Sequence, residues 1–297
     1  MSPQKRTRSK LASRVDNTKL PTIDKVSALP EVEKLVIEDE TQGDEEISPG
    51  DAIYVVPPGF ENEPRPLPPH VYWKMNVESI HQEGAKRWVI GTWYYNRSQL
   101  EAQLKEQKSK ITLPPMGLGE LISSDHQDVV DPQSIECLTA VDYFNDESPH
   151  SDIADAWYYR LSVELKGLAA NLTGLNGHCI CVQWYSPELD VQRFCYDCDK
   201  WFHIKCLTDP QPSEGETVPL QEKIANMPVV RGALGKVNDE WRVAGSGRKI
   251  QRVKIWKEAG VFPEDWAKEL GDSFITYVKR TTFSFYACAT KDCTRRI

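Results

Sequence analysis

Short runs rich in Val, Ile, Trp and Tyr, separated by turn residues, dominate the chain from about Ile47 onward. They predict β-strands over Ala52–Val56, Tyr72–Ile80, Arg87–Tyr94, Gln127–Val130, Ile135–Val141 and Trp157–Leu165, with Glu83-Gly84 breaking the second from the third. A further short strand is predicted at Val191–Phe194. Six prolines between Pro57 and Pro69 mark an extended loop, because proline cannot donate to a sheet ladder. One helix is predicted from a Ser98 cap to about Lys108, with Leu100 and Leu104 on one face, and another from Pro263 through the apolar Trp266–Leu270 stretch. Gly245-Ser-Gly247 lacks the spacing of a phosphate-cradling loop and reads as a plain loop. Residues 1–46 are polar and charged with few aromatics, so they are expected to remain a disordered tail. The fold class is therefore mainly β.

A chain of 297 residues has room for two domains and tails. No apolar run approaches the ~18 residues of a membrane span, so no membrane partner is expected. Lys5, Arg6, Arg8 and Lys10 lack the apolar stretch of a secretory signal and read as a nuclear import signal or a solvated tail. The net charge of −8 suits a basic ligand better than a phosphate backbone, although nine acidic residues fall between Glu31 and Asp51. The exception is 231–257, where eight Lys or Arg face only Asp239 and Glu240. That segment is either a solvated face or a weak DNA contact.

Chemistry concentrates in the cysteines. Cys179, Cys181, Cys195, Cys198, His203, Cys206, Cys288 and Cys293 form four close pairs that use seven of the eight cysteines. Short Cys-x-Cys and Cys-x-x-Cys spacings place two ligands on one turn, and zinc takes four such ligands in a tetrahedron. Four pairs thus imply two closed structural Zn2+ sites with no position left for water or substrate. The absence of a secretory signal favours zinc over disulfides. Cys137 stands apart and reads as a core residue. The chain also lacks a His-Glu-x-x-His site, a Gly-x-Ser-x-Gly elbow and a phosphate loop, so no enzyme is expected.

The order of ligand types, with His203 fifth, Trp201-Phe202 before it and Tyr286 two places before Cys288, resembles a PHD finger. A RING finger usually has His in fourth place, where this chain has Cys198. The resemblance implies interleaved ligand sets: Cys179, Cys181, His203 and Cys206 for one zinc, and Cys195, Cys198, Cys288 and Cys293 for the other. The finger would span 176–209 plus 284–297, around a partly helical insertion at 210–283. The 81 residues between Cys206 and Cys288 are its main departure from the pattern. Upstream, Asp51–Val55, Glu78-Ser-Ile80, the run from Arg87 to Tyr95, the run from Glu120 to Val130, Ser134-Ile135 and Trp157–Arg160 resemble a BAH domain. That resemblance implies a distorted β-barrel over 47–170.

A BAH domain followed by a PHD finger resembles the chromatin readers of plants and fungi. The implied function is a nuclear reader that binds methylated lysine on a histone H3 tail, on the nucleosome, as a subunit of a chromatin-regulating complex. The alternative is a nucleic-acid-binding or purely protein-docking scaffold. Trimethyl-lysine keeps its charge but cannot donate hydrogen bonds, so aromatic faces suit it. The family's cage positions fall on Trp73, Trp93 and Tyr95, with Trp88 directed to the core. In the finger, Tyr185 and Trp201 match cage walls, whereas His178 and Gln192 depart from them. The strand Val191–Phe194 is the expected edge for an incoming tail, with Asp190, Asp197 and Asp199 nearby to attract its cations.

Overall fold

The structure, a computed structural model, describes residues 20–37, 43–106, 108–109, 111–151, 157–166, 170–174, 177, 179–187, 189–212, 218–237 and 240–297. Lys5, Arg6, Arg8, Lys10 and His178 lie outside this set. The chain divides into two compact units, one of 1–112, 121–142 and 156–174, the other of 113–120, 143–155 and 175–297. Segments 113–120 and 143–155, which fall inside the expected 47–170 domain, thus group with the second unit.

The first unit is built on a mainly antiparallel sheet. A short helix α1 (Ile23–Ser27) and the ribbon β1 (Leu35–Ile37) with β2 (Glu45–Ile47) precede it. Its strands are β3 (Ala52–Val55), β4 (Trp73–Glu83), β5 (Lys86–Tyr95), β6 (Glu120–Val130), β7 (Ile135–Thr139), β8 (Val141–Tyr143), β9 (Trp157–Glu164) and β10 (Asn171–Thr173). The order is β10-β9-β6-β5-β4-β3-β7, with β8 on β9. Among the described residues β10 and β7 do not pair with each other, while β8, which follows β7 after a single residue, pairs with β9. Extra residues on β4 between Val77 and Ser79, and on β6 between Ser123 and Gln127 opposite Thr92 and Tyr94, bend the long strands.

Alternation along β5 explains the two faces. Val89, Gly91, Trp93 and Tyr95 share one side, where Val89 and Trp93 are buried with Ile53, Val55, Met75, Val77 and Ile80. Trp88 and Ile90 point the other way and join Val129 and Val26. Gly91 is required by the pairing: a Cβ there would meet the Asn76 carbonyl oxygen at 2.3 Å.

The expected tail over 1–46 is corrected in its described part. Val26 is fully buried beneath α1, with Leu20, Ile23 and Leu29 packed beside it, and Leu35 and Ile47 join the main core. Val32 N–H donates to Ile80 O at 2.8 Å, and Gln82 N–H to Pro30 O at 2.9 Å. The acidic average of this stretch hid apolar residues three apart, each with a place on the sheet.

Helix α2 (Arg97–Glu106) buries Leu100 and Leu104 as expected. Its cap is Asn96 rather than Ser98. The Asn96 side chain accepts from Gln99 N–H at 2.9 Å, while Gln99 Oε1 accepts from Asn96 N–H at 3.0 Å.

The second unit holds β11 (Gln192–Cys195), β12 (Lys200–His203), β13 (Thr208–Pro212), β14 (Val230–Val237), β15 (Glu240–Gly245) and β16 (Ser284–Ala287). Four of these pair in the order β12-β11-β14-β15, and β13 pairs with β16. Between them lie α3 (Leu220–Asn226), α4 (Gly247–Glu258), α5 (Trp266–Leu270) and α6 (Asp272–Arg280). Ile224, Ile250, Val253, Leu270, Ile275 and Val278 from these helices pack with Phe194 and Trp201 in one core. Segment 210–283 is therefore not an appendage; it shares its interior with the cysteine-rich strands. Gly247 begins α4 rather than sitting in a loop, and a Cβ there would lie 1.7 Å from Pro149 O.

Candidate metal centres and aromatic pockets

Each metal-ligand residue is delivered by a strand end or a tight turn. Cys179 and Cys181 flank Ile180, His203 ends β12, and Cys206 closes the 3-10 turn Ile204–Cys206. Cys195 ends β11, Cys198 lies in the turn to β12, and Cys288 follows β16 with Cys293 in the next turn. The fold gathers Cys179, Cys181, His203 and Cys206 in one group and Cys195, Cys198, Cys288 and Cys293 in another. In each group all four ligand atoms lie within 4.8 Å of one another.

These distances fit a metal. Cys195 Sγ to Cys293 Sγ is 3.8 Å and Cys198 Sγ to Cys288 Sγ is 3.7 Å. A tetrahedron with ~2.3 Å spokes has edges of about 3.8 Å, whereas a disulfide closes to ~2.05 Å. All eight cysteines are free thiols. Burial pushes the Cys195 thiol well above its usual range, so its thiolate needs a cation beside it. Both groups can hold a metal ion.

The histidine is prepared for this role. His203 Nδ1 lies 3.3 Å from Cys181 Sγ, and Nε2 lies 3.3 Å from Asp190 Oδ2. A carboxylate on the outer nitrogen fixes ring orientation and leaves the inner one for the metal. Burial holds His203 below its usual pKa against the upward pull of Asp190, so the neutral, ligating form prevails at neutral pH. Asp190 also accepts from Ser186 N–H at 2.9 Å and lies 3.4 Å from Lys205 Nζ. It is a positioning residue here, engaged within the chain rather than turned to an incoming tail as the sequence suggested. Asp197 pairs with Arg295 at 2.9 Å, and Asp199 occupies the left-handed region at φ +52° in the turn.

The first unit carries an aromatic cluster on β4 and β5. Met75 sits opposite Trp93, which puts Trp73 on the diagonal. The two indoles meet edge to face, with centroids 5.4 Å apart and planes at 85°. Trp93 is 7% exposed and Trp73 37% exposed, so only the latter presents much surface to solvent. Tyr95 packs against the same core and stacks on His126, with centroids 6.2 Å apart and its hydroxyl hydrogen-bonded to His126 Nδ1. Burial first, then Asp128, Asp125 and Glu106, pushes the Tyr95 phenol up to about 12. His126 was not foreseen. Only the register of β6 on β5 brings it to Tyr95.

The second aromatic pair has a different environment. Tyr185 and Trp201 are both 1% exposed, and the guanidinium of Arg231 lies 4.2 Å from each ring centroid. Gln192 Oε1 accepts from Arg231 Nε at 2.7 Å, and Asp146 O accepts from Nη1. The edge expected to receive a tail is also paired, because β14 lies along β11 with Gln192 opposite Arg231 and Arg193 opposite Val230. The expectation of open cage walls and an open edge is corrected on both counts. Nothing in the spacing of Arg231 signalled this; a hairpin distant in sequence delivers it.

Other residues of the basic segment are likewise engaged. Lys257 pairs with Glu222, and Arg252 lies 3.9 Å from Glu269. Lys249 and Lys254 stand over Phe274 and Tyr196. Internal pairing weakens the case for a phosphate-binding face.

No family model matches the sequence, and no curated protein matches it. Among solved structures, the chain is similar to the yeast Rsc2 BAH domain, with a TM-score of 0.32 and 10% identity. The match covers 48% of this chain and 55% of that one, so the chain spans about half the length of the structure it matches.

Proposed function

We propose that this chain is a non-enzymatic nuclear chromatin reader that binds a trimethylated lysine of a histone H3 tail through its first unit. The observation that carries the reading is the edge-to-face pair of Trp73 and Trp93, with Tyr95 packed on the same core and stacked on His126, and with Trp73 37% exposed. A trimethyl-ammonium is attracted to each ring face by ~0.5–2 kcal/mol. The rings favour a cation that needs no hydrogen-bond acceptor. Net charge −8 across the chain is consistent with a basic tail as partner. The motif resemblance to BAH domains supports the same assignment of residues.

The two cysteine groups serve as structural zinc sites of a PHD-type finger. Their ligand chemistry and S···S edges of 3.7 and 3.8 Å support zinc in closed tetrahedral coordination. On this reading the finger docks the reader within a larger chromatin complex. Calorimetric titration with H3 tail peptides, unmodified and trimethylated, tests the proposal. Tighter binding of one trimethylated peptide establishes a reader and identifies its mark. Equal or absent binding throughout would favour a docking scaffold instead.

A further inference from the structure

The pocket between Tyr185 and Trp201 is built for a planar cation, and the chain supplies that cation itself. Arg231 is 2% exposed, with its guanidinium over the rings of Tyr185 and Trp201, 4.2 Å from each centroid. Guanidinium groups are more weakly hydrated than ammonium groups and stack on aromatic faces, so arginine gains most from this setting. Backbone pairing reinforces the placement. Phe194 N–H donates to Val229 O at 3.1 Å, continuing the β14–β11 ladder past Val230. Val230 is held from its other side, where its N–H donates to Ser246 Oγ and its carbonyl accepts from Ser246 N–H, both at 2.9 Å. Gly232 lets the segment approach closely, since a Cβ there would stand 3.0 Å from Asp190 O and 3.4 Å from Val191 Cα.

Strand addition at a sheet edge with one cationic side chain in an aromatic slot is how an extended basic peptide is held. Here the peptide is residues 229–232 of the same chain. We propose that this segment is the resident ligand of the cysteine-rich unit, seated by Arg231. It keeps the β11 edge and the Tyr185–Trp201 pocket closed to a tail from outside. The chain then has one reading pocket, at Trp73 and Trp93, and segment 210–283 exists in part to keep the other closed. Linking the occupant covalently gives it a high effective concentration, against which a free tail competes poorly.

The inference rests on the finger reading proposed above, and zinc content separates the two. A zinc-free preparation would reject the finger, whereas the closed pocket is judged only on protein carrying zinc. Hydrogen exchange of the full chain provides the test, comparing the native protein with Arg231→Ala. The expected result is an increase of at least about tenfold in exchange at Gln192–Cys195 and Val229–Gly232 together, with zinc and the protection of α4 retained. Should Arg231→Ala lose zinc, Arg231→Lys is read instead; it keeps the charge but loses the planar fork, and the same two ranges must rise together. In parallel, a Trp73→Ala chain is titrated with unmodified and trimethylated H3 peptides, and no saturable binding through the second unit is expected. Unchanged exchange in both Arg231 variants would overturn the proposal. So would saturable peptide binding to the Trp73→Ala chain that slows exchange at Gln192–Cys195.

Discussion

Truncation of Trp73 separates reading from stability in a way that truncation of Trp93 does not. Trp93 is 7% exposed and packs among Met75, Val77 and Val89, so Trp93→Ala leaves a cavity costing about 3–5 kcal/mol. That is a large share of the ~5–15 kcal/mol that holds a domain folded, and lost binding in this variant would be ambiguous. Trp73 is 37% exposed, and solvent fills the space it leaves. Its removal costs about 1–2 kcal/mol of stability, from partial transfer and the edge-to-face contact with Trp93. If a trimethyl-ammonium sits against this ring, losing one face weakens binding by ~0.5–2 kcal/mol, roughly 2- to 30-fold in Kd. The assay is calorimetry with trimethylated and unmodified H3 peptides, after circular dichroism confirms a folded variant. The expected result is a smaller ratio between the two Kd values, largely restored by Trp73→Phe. A folded Trp73→Ala protein that keeps its full ratio would remove the cluster from methyl-lysine recognition.

Three further outcomes are expected. If the two groups hold structural zinc, excess chelator or Cys195→Ser should unfold the second unit, because such a site supplies ~10–16 kcal/mol. All eight candidate ligands lie in the second unit, so the first should keep its exchange protection; elemental analysis should find two zinc ions per chain, and one would refute the paired sites. Gly91→Ala should lower the melting temperature of the first unit by an amount equivalent to about 1–3 kcal/mol, since its Cβ would press on Asn76 O and Met75 Cγ at 2.3 and 2.6 Å. Burial pulls Lys74 down to about 8 although its Nζ donates to Pro69 O and Tyr72 O. The unfolded chain therefore binds more protons between pH 8 and 10.5, and stability rises with pH across that window by up to ~1.4 kcal/mol per unit. Denaturant titrations at pH 8 and pH 10 should show this rise relative to Lys74→Met; an identical pH dependence in both would show the lysine is not depressed.

The strands of the first unit were legible because alternation and β-branched content act locally. Trp88 and Trp93 could be placed on opposite faces from their spacing alone. Ser98 was the wrong cap because Asn96 and Gln99 satisfy each other in a capping box, a local signal already present in Asn96-Arg-Ser-Gln99. The N-terminal segment was misread for a different reason. Val26, Leu35 and Ile47 are too sparse to signal order until a sheet exists to receive them. Helix α4 was hidden similarly, its Ile250 and Val253 three apart among five basic residues.

What the sequence by itself determined is the set of eight residues able to ligate a metal. Eight soft ligands in close pairs leave few ways to form two tetrahedra, because short-range geometry constrains each pair before any fold exists. What only the tertiary structure decided is access. Tyr185 and Trp201 are 46 and 30 residues from Arg231 along the chain, from the numbering itself, and no local pattern relates them. A four-stranded sheet with β14 inserted beside β11 brings the guanidinium over the two rings. Residue type could mark both aromatics as a place for a cation; only long-range strand pairing determined that the cation belongs to the protein itself.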